Sequence, residues 1–132
     1  MGESNQHKKL VKLIINYIEN FVGSDYACLI ESDLSDNRPL TILTEEGFRP
    51  DVVYEYKGLM MIGEAKTSND VSRKHSLDQY ASYLKKCSLY HGNAEYIMAV
   101  PWREYASANN IINSIKKEFP GDYKITIIKG MV

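Results

Sequence analysis

The amino-acid sequence predicts an α/β domain with a mixed central sheet flanked by helices. Three observations carry that prediction. Helical apolar spacing recurs in segments separated by strand-like runs, two of those runs are joined tightly at Lys57-Gly58, and the later strands alternate with helices. At 132 residues the chain fits one domain, 1–132, large enough to bury a core without staples.

From Gln6 to Val22, apolar residues at Leu10, Leu13, Ile14, Tyr17, Ile18 and Phe21 have helical spacing, and Gly23-Ser24 ends the helix. Tyr26 to Glu31 is expected as the first strand and Ser32 to Pro39 as a loop. Leu40 to Phe48 is ambiguous, with a short strand through Thr41–Leu43 as one option. Asp51–Tyr56 and Leu59–Lys66 form a hairpin in which Gly58 supplies a positive φ. Ser72 is a candidate cap for a second helix that runs to about Lys86 and buries Leu77, Tyr80, Ala81, Leu84 and Cys87. A strand over Ala94–Val100, a helix from about Glu104 to Glu118 and a strand over Tyr123–Lys129 complete the order.

Composition narrows the function classes. The formal net charge of -1 argues against nucleic-acid binding by a global positive field and leaves local patches open. Lys8, Lys9 and Lys12 form one such cluster, and Arg73-Lys74, Lys85-Lys86 and Lys116-Lys117 are others. Cys28 and Cys87 lie far apart in apolar patterns, which indicates reduced thiols and no thiolate metal site. With no membrane-length apolar run and no signal-peptide pattern, the chain is expected to be soluble and cytoplasmic.

The chemistry concentrates in the hairpin. A two-residue turn at Lys57-Gly58 sets Tyr56 opposite Leu59, and the same register brings Asp51 opposite Glu64. Like charges facing across a ladder are destabilising. Lys66, two residues beyond Glu64, falls on the same face and can compensate. Two carboxylates, with the Ala65 carbonyl as a candidate third ligand, suit a hard cation such as Mg²⁺, which fills its remaining positions with water and phosphate oxygens. The chemistry implied is phosphodiester hydrolysis.

Arg49-Pro50-Asp51, an apolar hairpin, and then Gly63-Glu64-Ala65-Lys66-Thr67 together resemble the signature of the PD-(D/E)XK nuclease superfamily. The order αβββαβ, followed here by αβ, resembles that superfamily's restriction-endonuclease-like core from the first helix to Val100. The resemblance implies that Asp51 and Glu64 bind Mg²⁺, for which Mn²⁺ can substitute, and that Lys66 positions or activates the attacking water. Gln79 and Tyr83 match a Q-x-x-x-Y element that resembles the helix after the catalytic strand in helicase-associated exonucleases of this superfamily, which adds Gln79 to the catalytic set.

His75, Gln79 and Tyr83 recur at four-residue steps and form a stripe that is a candidate for touching a phosphate or a DNA end. His7 is a substrate-side candidate from the first helix, while Glu19 reads as a surface residue. Trp102 and Arg103 are candidates for stacking on a base and meeting a phosphate, against the plainer role of covering the sheet end. The implied activity is metal-dependent cleavage of DNA, as an endonuclease, by the chain as a homodimer or with a larger protein that supplies specificity. A catalytically inactive nucleic-acid-binding or protein-interaction module on the same fold stays open.

Overall fold

The computed structural model describes residues 4–34, 37–41 and 44–132. Helix α1 (Asn5–Val22) starts at Ser4, whose Oγ accepts the His7 backbone N–H at 3.1 Å, and it ends at Gly23 with φ 91°. Its buried stripe is Leu10, Val11, Ile14, Ile15 and Ile18.

The segment expected as a first strand folds differently. A 3-10 turn forms at Ala27–Leu29, and strand β1 (Glu31–Ser32) follows. Local bonds satisfy the backbone here: the Leu29 N–H donates to the Tyr26 carbonyl at 3.0 Å and the Ile30 N–H to the Ala27 carbonyl at 3.2 Å. Ala27 and Leu29 pack against the α1 core from that turn, so burial is met without a strand. Of the optional strand over 41–43, residues 42 and 43 lie outside the described residues, and Thr41 is in no strand.

Strands β2 (Val52–Tyr56) and β3 (Leu59–Ala65) form the expected hairpin, with Tyr56 opposite Leu59 and Val52 opposite Gly63. Lys57 at φ 48° and Gly58 at φ 79° are both left-handed, the pattern of a type I′ turn whose twist suits the flanking strands. Helix α2 (Lys74–Leu89) begins two residues beyond the expected Ser72 cap, with Arg73 at the cap position and no side chain closing it. Strand β4 (Asn93–Pro101), a 3-10 turn at Trp102–Glu104, helix α3 (Tyr105–Lys116) and strand β5 (Lys124–Gly130) follow.

The sheet order is β1-β2-β3-β4-β5. β1, β2 and β3 pair antiparallel, whereas β3, β4 and β5 are parallel. The mixed sheet follows from the connections, since a two-residue turn permits only antiparallel neighbours and a helical crossover returns the chain parallel. α1 packs on one face against Val52, Tyr54, Met61, Ile97 and Ala99. α2 and α3 cover the other, against Met60, Ile62, Tyr96, Met98 and Val100. Gly63 lets α1 come close: an added Cβ would lie 2.5 Å from Ile14 Cγ2. Among the described residues no helix is long and apolar enough to cross a membrane.

Candidate functional site

Period-two alternation on β3 sends Met60, Ile62 and Glu64 toward the α2 layer and Met61, Gly63 and Ala65 toward α1. Ladder pairing ends at Val52 and Gly63, and Asp51 stands in a bend one residue beyond it, not paired opposite Glu64 as the sequence register predicts. The Asp51 N–H is shared between the Gly63 carbonyl at 3.0 Å and Glu64 Oε1 at 3.1 Å. The Asp51 carboxylate turns across the end of the sheet, where Oδ2 accepts the Ala65 N–H at 2.9 Å and meets His7 Nε2 at 3.3 Å. α1 therefore delivers His7 to Asp51, and its own cap at Ser4 fixes where that first turn begins.

Lys66 completes the cluster. Its backbone N–H bonds the Ala99 carbonyl at 3.0 Å, which extends the β3–β4 ladder one step beyond the strand. Its ammonium lies 3.5 Å from Glu64 Oε2 and donates to Gln79 Oε1 on α2. Lys66 is 9% exposed and Glu64 is 4% exposed, so both charges stand largely out of water. Burial, and then the neighbouring Asp51, hold the Glu64 carboxyl well above the usual carboxylate range, with Lys66 opposing the shift. A desolvated acid pair with one adjacent ammonium has a deficit of positive charge. That is the electrostatic condition in which a divalent cation binds.

The remaining candidates separate. His75 is exposed and sits edge-on to Phe48, with ring centres 5.5 Å apart. Tyr83 departs from the expected stripe: it is fully buried in the core and has no surface to offer a substrate. Burial first, then the neighbouring Glu64, push its ionisation far up. Tyr96 on β4 stacks on Tyr83 at 6.1 Å and is equally buried, with burial and Glu64 again raising its hydroxyl. Tyr96 was not among the expected site residues. The signal for it was the strand alternation that puts Tyr96, Met98 and Val100 on the α2 face beside Glu64.

A second missed feature holds the approach to Asp51. Glu46 accepts from Ser82 Oγ at 2.6 Å and from Lys85 Nζ at 3.1 Å, and these bonds, Ser82 foremost, lower its carboxyl. Thr44 Oγ1 accepts the Phe48 N–H at 3.0 Å, which closes the turn. The segment leading to Arg49-Pro50-Asp51 is thus clasped onto α2.

Among the described residues no group of three or more His, Cys, Asp or Glu is arranged to hold a metal ion. A cation here would have two carboxylates, would take its other ligands from backbone, water or substrate, and would therefore be of the Mg²⁺ type, not Zn²⁺. No family model, curated protein or solved structure matches the chain.

Proposed function

We propose that the chain is a divalent-metal-dependent nuclease that hydrolyses DNA phosphodiester bonds on a restriction-endonuclease-like, PD-(D/E)XK-type core. The observation that carries this reading is the meeting of Asp51, Glu64 and Lys66 at one sheet end, with Glu64 Oε1 3.1 Å from the Asp51 N–H and the Lys66 ammonium 3.5 Å from Glu64 Oε2. Asp51 and Glu64 hold Mg²⁺, or Mn²⁺ in its place, with the Ala65 carbonyl as a third oxygen. Bound there, the ion supplies a water of lowered pKa and neutralises charge on the phosphoryl oxygens.

The chain's own groups do the rest. Gln79 and Glu64 each engage the Lys66 ammonium, leaving the third of its donors to orient the attacking water. His7 and the Ala65 N–H fix the Asp51 carboxylate through Oδ2. The buried position of Glu64 strengthens every charge interaction at the site. DNA is the partner. Specificity comes from the shape of the substrate, from a second copy or from a larger protein.

The alternative is an inactive binding or interaction module in which the triad is a closed ion-pair cluster, a reading favoured by the burial of Glu64 and the Lys66–Gln79 bond. Labelled linear duplex, single strand, flap and four-way junction, incubated with Mg²⁺ or Mn²⁺ against EDTA, decide between them. The nuclease reading expects metal-dependent cutting that Lys66→Ala abolishes. Absence of both cutting and metal binding would overturn it.

A further inference from the structure

The sheet end that carries the acid pair also carries two cation–aromatic pairs that no part of the core uses. Trp102, the single tryptophan of the chain, opens the turn after β4 and is 51% exposed. The Arg103 guanidinium carbon lies 5.7 Å from its ring centre. On the neighbouring strand, Lys129 Nζ lies 4.5 Å from the centre of the Tyr105 ring. The register sets Lys129 opposite Val100 and Gly130 opposite Pro101, so both pairs stand at adjacent strand ends.

This end is the active end. The Lys66 N–H bonds the Ala99 carbonyl at 3.0 Å, and Trp102 follows three residues later, within roughly 10 Å of chain. A tryptophan that merely caps a sheet is buried by what it covers, whereas half of Trp102 is open. The surrounding charge is also favourable. Leu10 and Leu13 lie against Gly130, which brings the first half of α1, with exposed Lys8, Lys9 and Lys12, to the same end. Half-buried Glu104 is the acid next to the platform in sequence. In a chain of net charge -1, these lysines add positive charge on the α1 side of the same sheet end.

We propose that Trp102, Arg103, Tyr105 and Lys129 form a platform for an unpaired DNA strand, with a base stacked on Trp102 and flanking phosphates on Arg103 and Lys129. The proposal rests on the nuclease reading for its substrate and names the form of that substrate: single-stranded DNA, or DNA with an unpaired end or flap. The chemistry selects the unpaired strand because base faces inside a duplex are already stacked on one another. An exposed indole gains a base only where the strand is open. Guanidinium and ammonium groups beside it give the sequence-independent phosphate contacts that such binding needs.

The single tryptophan makes the test direct. Full-length protein in EDTA, where no strand is cut, is titrated with oligothymidine and separately with a blunt duplex of equal length, reading intrinsic fluorescence and the anisotropy of labelled DNA. Oligothymidine is expected to quench Trp102 saturably, and Trp102→Ala to weaken its binding roughly tenfold while leaving the blunt duplex unchanged. Arg103→Ala and Lys129→Ala are each expected to reduce the salt dependence by about one phosphate contact. Trp102→Phe, which keeps an aromatic face, should recover most of the affinity and serves as the folding control.

Unchanged fluorescence at saturation, or equal loss of duplex and single-strand binding in Trp102→Ala, overturns the platform. Metal-dependent cutting alongside unchanged fluorescence would overturn the platform alone. Quenching with neither cutting nor metal binding would support the platform and remove the nuclease reading.

Discussion

Gly63→Ala tests whether the close approach of α1 to β3 holds the site together. The added Cβ would lie 2.5 Å from Ile14 Cγ2 and 3.4 Å from Val52 Cβ. Carbon atoms pack at about 3.5–4.0 Å, so roughly 1 Å of overlap has to be absorbed. Ile14 is fully buried and β-branched, and its Cγ2 cannot swing aside without leaving a stiff rotamer. Overpacking of this kind costs about 1–3 kcal/mol. For 132 residues, with an unfolding entropy of about 2 cal/mol/K per residue, that lowers Tm by roughly 4–11 °C.

Scanning calorimetry reads the shift, and a double-mutant cycle with Ile14→Ala identifies its cause. Ile14→Ala removes the obstructing methyl, so the double variant should be more stable than the two single losses together imply, by about 1 kcal/mol or more. Because α1 also carries His7, Gly63→Ala should lengthen the 3.3 Å contact to Asp51 and weaken Mn²⁺ binding. A melting temperature equal to the parent's, or additive single losses, would refute the packing argument.

Glu64→Gln should stabilise the metal-free protein at neutral pH. The folded carboxyl titrates above its unfolded value of 4.5, so its favourable contribution is complete below that pH and is lost as pH rises toward the folded pKa. Denaturant melts in EDTA should show the variant's advantage shrinking to nothing in acid; an advantage independent of pH would contradict the assignment. Gln79→Ala removes one of the two partners of the Lys66 ammonium and should slow the proposed cleavage by about 10–100-fold with the fold intact, a smaller loss than Lys66→Ala. Equal rates for Gln79→Ala and parent would show that the bond is idle. Exposed Cys28 should react with a thiol reagent at once, while Cys87, 3% exposed and pushed up to about 12 by burial, reacts only on unfolding. Two thiols titrating immediately would contradict this.

The hairpin was legible in the sequence because its signals agree. Lys57-Gly58 requires a left-handed turn, strand residues flank it on both sides, and the register then follows by counting as far as Val52 and Gly63, beyond which Asp51 bends out of the ladder. The first strand was not legible, since a short apolar run such as Tyr26–Glu31 can be buried equally well by a 3-10 turn. The second helix shows a subtler failure. Apolar spacing nominated Leu77 and Ala81 for its buried face, but both are only partly buried, and Ser76, Ser82 and Tyr83 take that place. Small hydroxyl residues carry no hydrophobic signal, and buried Ser82 donates a hydrogen bond to Glu46 from a distant turn. That rotation put Tyr83 in the core. His7 lies within reach of Asp51 only because Gly63 admits α1. Its place on the first helix made it a candidate, but only that tertiary approach names Asp51 as its partner.

The strand order runs from β1 to β5 without a jump, so spatial neighbours in the sheet are neighbours along the chain. A chain so arranged can grow its sheet by adding strands to an existing edge, with the β2–β3 hairpin as the shortest loop to close. If the hairpin forms first, Asp51 and Glu64 are brought near each other before α2 holds Lys66 through Gln79. The acid pair is then expected to be a kinetic obstacle to folding. Refolding of the metal-free chain should accelerate in mild acid or with Glu64→Gln, because either removes repulsion from the nucleus itself. If both change only the unfolding rate, the hairpin forms late.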